Sequence, residues 1–216
     1  MAEAIGIGAG GHAKVVVEII QLVGQYQIAG LLDSDERKLG SLVCGVKVLG
    51  DDSLLPQLFS KGMRHAFMSL GSLGSGQLRK ELYEHARTLS FEMISAVHPQ
   101  AVVSRFARLG IGSTIMAAAI INPGTMIGEN VIINSGAIVD HDCVIGDHVH
   151  VASGACLSGG VIVGGGSHIG AGAVVRQGIS IGENSIVGAG AVVVRNVPDN
   201  VTVVGVPARI HERQTV

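Results

Sequence analysis

Residues 134–154, NSGAIVDHDCVIGDHVHVASG, hold three of the chain's nine histidines in a run otherwise made of small and aliphatic side chains. His141 stands between two acids, Asp140 and Asp142. An imidazole with an ordinary pKa near 6.5 accepts a proton at neutral pH, and an adjacent carboxylate fixes its tautomer and favours the imidazolium. The same residues would also suit a metal, or simply the polar corner of a repetitive fold. His148 and His150 follow closely, and His168 lies one further step of eighteen beyond His150.

A second candidate lies near the N-terminus. Gly6-Ile7-Gly8-Ala9-Gly10-Gly11 satisfies GxGxxG, with Asp33 downstream. Three readings stand: a dinucleotide fingerprint, a tight turn in a small α/β domain, or a nucleotide-sugar site. NAD is disfavoured because residues 1–95 make only half of the usual dinucleotide-binding fold.

The elements around these residues follow two grammars. Over residues 1–95 strand and helix signals alternate. AIGIGA (4–9), YQIAGLLD (26–33) and HAFMSLGS (65–72) read as strands. HAKVVVEIIQLVG (12–24), DSLLPQLFSKG (52–62) and SGQLRKELYEHARTLS (75–90) read as helices, the first ending at a Gly suited to the C-cap. That series predicts a small parallel sheet with helices packed on it.

From residue 96 onward the pattern changes. Stepping by six from Val97 to Val193 meets seventeen positions, all Val, Leu or Ile. At a 47% apolar background, chance gives this in a fixed phase about three times in a million. A small residue recurs four places after most of them, and Gly directly after many. A period of six fits neither a helix nor a two-faced sheet. It fits a β-solenoid of short strands, each turning one aliphatic inward. In that phase His141 falls at a corner, and Gly159 lies one coil along at the same corner. His150 and His168 stack on one face, and His148 and His168 read as solvated.

Composition closes off several function classes. The formal charge of −2 gives no general attraction for nucleic acid or acidic membranes. Glycines and polar residues break every aliphatic run before it reaches membrane-spanning length. Three cysteines without a CxxC pair read as reduced thiols, so a soluble, cytoplasmic protein is expected.

The unbroken hexads resemble the hexapeptide-repeat, left-handed parallel β-helix of acyltransferases, and Val204-Gly205-Val206-Pro207-Ala208-Arg209 is similar to the tail of many of them. Gly8-Ala9-Gly10-Gly11-His12-Ala13-Lys14-Val15-Val16 is similar to the opening of the nucleotide-aminosugar N-acetyltransferases, bacillosamine N-acetyltransferases and sialic acid O-acetyltransferases among their kin. The resemblance implies an α/β domain over 1–95, a Rossmann-like half that holds the nucleotide sugar, followed by a left-handed β-helix acetyltransferase domain with a C-terminal tail over 96–216. It implies acetyl-CoA as co-substrate, no metal, and a homotrimer with active sites between subunits. The acceptor would be the amine, at C4, of a nucleotide-linked 4-amino-4,6-dideoxysugar such as GDP-perosamine, made for the O-antigen of lipopolysaccharide.

Carried over position by position, the resemblance makes His141 the base and Asp142 its acid, where the family often has the longer Glu. Asp140 competes as the supporting acid or serves as a turn residue. Gly159 is an oxyanion donor or a plain turn glycine. His150, with the backbones of Ala171 and Ala189, would line the acetyl-CoA arm. Gly10, Gly11, His12, Asp33, Ser34, Asp35, Gly71 and Ser72 would meet the nucleotide sugar, and Asn134 would touch the sugar or bridge a turn. The base, the exact sugar, and an N or O acceptor stay open. A γ-carbonic-anhydrase-like metal hydratase uses a His-x4-His pair that is lacking here, and a non-catalytic sugar-nucleotide scaffold would bind without transfer.

Overall fold

The computed structural model describes residues 1–72 and 76–211. The first unit is built from β1 (Ala2–Ile7), α1 (Gly11–Val23), β2 (Tyr26–Leu32), β3 (Leu42–Val43), β4 (Val46–Gly50), α2 (Leu55–Ser60), β5 (His65–Met68), α3 (Gln77–Thr88) and β6 (Glu92–Met93). They form one sheet in the order β3-β4-β2-β1-β5-β6, parallel except for the β3–β4 hairpin. α1 turns Ala13, Val16, Val17, Ile19 and Ile20 into the core and ends at Gly24 in the left-handed region, φ 66°. The helix expected over 52–62 is a 3-10 turn, Asp52–Leu54, followed by α2. Pro56 in the first turn of α2 explains the break: proline has no N–H to continue a helix upstream of it. The helix expected over 75–90 is α3; Ser75, the start of that expectation, lies outside the described residues, as do residues 212–216.

The second unit is a stack of seventeen two-residue strands, β7 (Ala96–Val97) to β23 (Val192–Val193), capped by β24 (Thr202–Val204) and β25 (Arg209–Ile210). Every third strand pairs in parallel, so eighteen residues make one coil and three sheets make a triangular prism. The first face holds β7, β10, β13, β16, β19 and β22 and continues into β24 and β25; the second holds β8, β11, β14, β17, β20 and β23; the third holds β9, β12, β15, β18 and β21. The second residue of each strand is the hexad aliphatic. Ile115, Val139, Val151, Leu157, Ile169 and Val187 are fully buried. Ala119, Ala137, Cys143, Ala155 and Ala173 fill the space between them from the turns. The glycines after the aliphatics let coils stack: a Cβ on Gly146 would lie 2.7 Å from the Gly165 nitrogen.

The first unit packs on the first face of the prism. α1 shares a core with Ala96, Met116 and Ile132. α3 reaches the neighbouring corner, where Tyr83 Oη donates to Glu129 Oε2 at 2.8 Å and its ring meets His148 edge-on. His148 is therefore half-buried rather than solvated: Asn130 lies 3.0 Å from its Nδ1, and Tyr83 covers one side.

Candidate active site

His141 sits on the turn between β14 (Ile138–Val139) and β15 (Val144–Ile145), at the corner of the second and third faces. The solenoid turns place a residue in the left-handed region once per hexad, and here that residue is Asp142, φ 58°. Its carboxylate meets the ring: Asp142 Oδ2 lies 2.8 Å from His141 Nδ1. A carboxylate only accepts, so Nδ1 carries the proton and Nε2 presents its lone pair. The hydrogen bond to Asp142, aided by the charge of Asp140, raises the His141 pKa above its ordinary 6.5.

Asp140 has another task. Its Oδ1 accepts from the His141 backbone N–H at 2.8 Å and from Asn122 Nδ2 at 2.7 Å, tying the turn to the preceding coil. The Asn122 hydrogen bond holds its carboxyl below the usual range.

Two glycines, one coil to either side, make room for the pair. A Cβ on Gly159 would stand 2.5 Å from His141 Nε2, and one on Gly124 would collide with the Asp142 carboxylate. Gly159 is buried, its carbonyl accepts from Gly178, and its N–H has no partner among the described residues. The Gly159 backbone thus lies close against the free Nε2 of His141. Counting eighteen from His141 and from Asp142 finds both glycines in the sequence; the second was missed.

The histidines of the first face live differently. His150 is only 8% exposed, with Nδ1 3.2 Å from the Ser72 carbonyl and Nε2 3.3 Å from Asn134 Nδ2. A carbonyl only accepts, so His150 donates from Nδ1 and Nε2 receives the Asn134 amide. Burial, then the neighbouring His168, push its pKa down to about 4. His168 packs edge-to-face on it at 4.7 Å and is half-buried, against the expectation of a solvated group. His150 covers the His168 ring and is itself covered by the Ser72 loop of the first unit, an arrangement that a count of six does not reveal.

The nucleotide-loop candidates gather at the carboxyl ends of β1, β2 and β5. Gly10 and Gly11 open α1 with no side-chain cap and no first-turn acid, and space is free at both Cα atoms. His12 packs against Gly71 and its Nε2 is buried without a partner; burial, then Arg79 and His150, lower its pKa to about 3. A cavity of ≈ 350 Å³ lies beside these loops, walled by Ile7, Leu32, Leu70, Leu78 and Leu82 with Asp33 and Ser34 at its edge. Asp33 also braces the loops, accepting from Ala9 N–H and Lys38 Nζ at 2.8 Å each and from Asp35 N–H at 3.0 Å. Burial alone would raise its carboxyl, but Lys38 and the two N–H groups hold it low. Asp35 turns away from the cavity to pair with Arg37.

Ala171 and Ala189 lie eighteen apart on the corner of the first and second faces, exposed, with N–H groups unpaired among the described residues. In one chain, therefore, His141, the Ala171–Ala189 corner and the nucleotide-loop candidates occupy three separate places, and the third cofactor-arm candidate, His150, lies with the nucleotide-loop candidates at Ser72 rather than with the two alanines. His141 is at the corner opposite the very face on which the nucleotide loops rest. Among the described residues no three His, Cys, Asp or Glu side chains gather as a metal site.

Comparison with known proteins bears on both units. The family model of the PglD N-terminal domain matches residues 4–86, and that of the bacterial transferase hexapeptide (six repeats) matches residues 124–159. The chain is 43% identical to perosamine N-acetyltransferase of Caulobacter crescentus, solved with CoA and GDP-perosamine, at a TM-score of 0.91 over 98% of each chain. It is 39% identical to the acetyltransferase domain of PglB from Neisseria gonorrhoeae FA1090, solved with acetyl coenzyme A, at a TM-score of 0.89 over 97% of this chain and 98% of that one. UDP-N-acetylbacillosamine N-acetyltransferase of Bacillus subtilis (strain 168) is 40% identical over 112 residues, a match spanning 51% of this chain and only half of that enzyme's length. With these likenesses the prism is a left-handed parallel β-helix.

Proposed function

The chain belongs to the nucleotide-aminosugar N-acetyltransferases of the hexapeptide-repeat acyltransferase superfamily, and on that premise we propose that it moves the acetyl group of acetyl-CoA onto the C4 amine of a GDP-linked 4-amino-4,6-dideoxysugar such as GDP-perosamine. The observation that carries the reading is the His141–Asp142 pair, whose free Nε2 lies against Gly159. The sugar amine attacks the thioester carbonyl and its proton passes to His141 Nε2. Asp142 holds the ring and stabilises the imidazolium that forms. The Gly159 N–H donates to the developing oxyanion. On collapse the C–S bond breaks, and the CoA sulfur leaves as thiol with the proton from His141.

Such a site needs a second subunit. The base of one chain faces away from its own nucleotide loops, so a sugar held on one first unit meets His141 of a neighbour. The outward column of the second face supports a homotrimer. Val102, Ile120, Ile138, Cys156, Val174 and Val192 make it apolar from end to end, a strip that water would otherwise cover. Between two such prisms, the Ala171 and Ala189 N–H groups of one chain would run beside the His141 corner of the next and receive the cofactor arm. His150, expected along the acetyl-CoA arm, instead touches Ser72 of the nucleotide-loop candidates, so with Asn134 it would position the sugar end of the substrate.

The test is direct. The protein is incubated with acetyl-CoA and a panel of GDP-, UDP- and dTDP-linked amino and hydroxyl sugars, and free thiol and product mass are followed. Transfer to a 4-amino sugar is expected, and absence of transfer to every amine in the panel defeats the proposal. Co-expression of His141→Asn chains with chains altered at Gly10 and Gly11 should restore transfer that each alone lacks. If the mixture stays as inactive as its parents, the site is not shared between subunits.

A further inference from the structure

Arg79, on the first turn of α3, is the most unusual charge in the molecule. It is 3% exposed. Its Nη1 donates to the Leu70 carbonyl, while Nε and Nη2 have no partner among the described residues. Among the described residues, no carboxylate stands among the charges that act on it. A buried, hydrogen-bonded ion normally has a counter-ion, because desolvating it alone is strongly unfavourable. A ligand from outside the chain can complete such a group.

Its surroundings say what that is. Arg79 grips the loop that carries Gly71 and Ser72, and its field reaches His12 on the first turn of α1. That turn has Gly10 as its N-cap, no acid, and open N–H groups: the arrangement that receives an anion at a helix N-terminus. The nearby lysine that could have neutralised an anion, Lys38, is already paired with Asp33 at 2.8 Å. His12 and His150 are held neutral, first by burial and then in part by this same charge, so neither supplies a cation.

We propose that Arg79 is a positioning residue for the substrate's diphosphate: sealed beneath the Leu70–Ser72 loop, it provides the fixed positive charge against which the α1 N-terminus holds the two phosphates. The inference rests on the nucleotide-sugar reading and extends it to a residue with no part in the acetyl transfer. The guanidinium need not touch the phosphates. In a low-dielectric surrounding, its field acts over several ångströms with little loss. This charge, unpaired among the described residues, then lowers the stability of the free protein and is compensated when the nucleotide binds.

The test compares GDP with guanosine, which shares the base and ribose but lacks the phosphates. Binding of each to wild-type protein and to Arg79→Met is measured by calorimetry, with melting temperature as a fold check. The Kd for GDP should rise at least about tenfold in Arg79→Met while that for guanosine changes less than about twofold, and the free variant should melt no lower than wild type. Equal losses for both ligands, or no loss for either, overturn the proposal, since a merely structural arginine affects both alike. If Arg79→Met does not fold, the wild type still decides. A buried cation is weakly screened, so the preference for GDP over guanosine should largely survive a rise from about 0.05 M to about 0.5 M salt. Collapse of that preference overturns the role. If the wild type binds none of GDP, UDP and dTDP, it is the nucleotide reading that falls, and the proposal with it.

Discussion

The corner of the second and third faces and the middle of the first face each present a histidine, nine residues apart in sequence, and the two are opposites. His141 is largely exposed, hydrogen-bonded to a carboxylate, and raised in pKa. His150 is buried, hydrogen-bonded to a carbonyl, and lowered to about 4. One is able to take a proton during a reaction at neutral pH. The other stays neutral and serves as a fixed donor and acceptor that orients Asn134. The partner at Nδ1 and the access of water set the role; the side chain alone does not.

The contrast is broken most completely by removing the proposed base. His141→Asn should lower kcat by about 10²- to 10⁴-fold and leave the melting temperature where it was, because an exposed turn ring holds little of the fold together. Full activity in that variant would remove His141 from the mechanism. The buried histidine should show in stability instead. Its folded pKa of about 4 lies below the unfolded 6.5, so the unfolded chain takes up the proton first as pH falls. Stability is then whole above pH 6.5 and drains away down to about pH 4, by on the order of 3 kcal/mol for this group. Urea unfolding across that range should be flatter in His150→Gln than in the wild type, and an equal slope in both would contradict the assigned environment.

Gly159→Ala sharpens the corner itself. A methyl group 2.5 Å from His141 Nε2 must displace the ring, and misplacement of about 1 Å costs about 10²-fold in kcat. Unchanged kinetics would show that the ring has room that the coils do not display. The smallest effect belongs to Asp142→Asn. The rising limb of kcat/KM against pH should sit above 6.5 in the wild type and move down towards 6.5 in the variant, with a loss of about tenfold at neutral pH. A limb that stays in place would assign the support of His141 to another group.

Much of this was legible from counting. The seventeen aliphatics fix where each coil turns, and hence that His141 and Gly159 share a corner, because a parallel solenoid returns every eighteenth residue to the same place. Asp142 was legible as a neighbour but not as the residue that touches the ring. That depends on its left-handed backbone, which bends the carboxylate back while Asp140 is spent on the turn. The burial of His148 and His168 was not legible from the repeat, since Tyr83 of α3 covers the first and His150, held under the Ser72 loop, covers the second. A hint was present all the same. The outward residues of the first face read Ala96, Thr114, Ile132, His150, His168, Ile186, unlike the uniformly apolar second face. The β3–β4 hairpin escaped because its strands of two and five residues straddle Cys44-Gly45, a turn without an extended hydrophobic run on either side.

The eighteen-residue coil also gives the molecule a gauge for change in evolution. Gaining or losing a whole coil upstream of His141 slides the base along the axis by about 4.8 Å and leaves it pointing the same way. Gaining or losing a single hexad instead turns everything downstream by one face. Such a change preserves the aliphatic phase and the buried interior, yet it delivers His141 to a corner that borders the face covered by its own first unit. Chain-length variation is therefore sorted into two kinds, one that retunes the distance between base and acceptor and one that keeps the fold while dismantling the site.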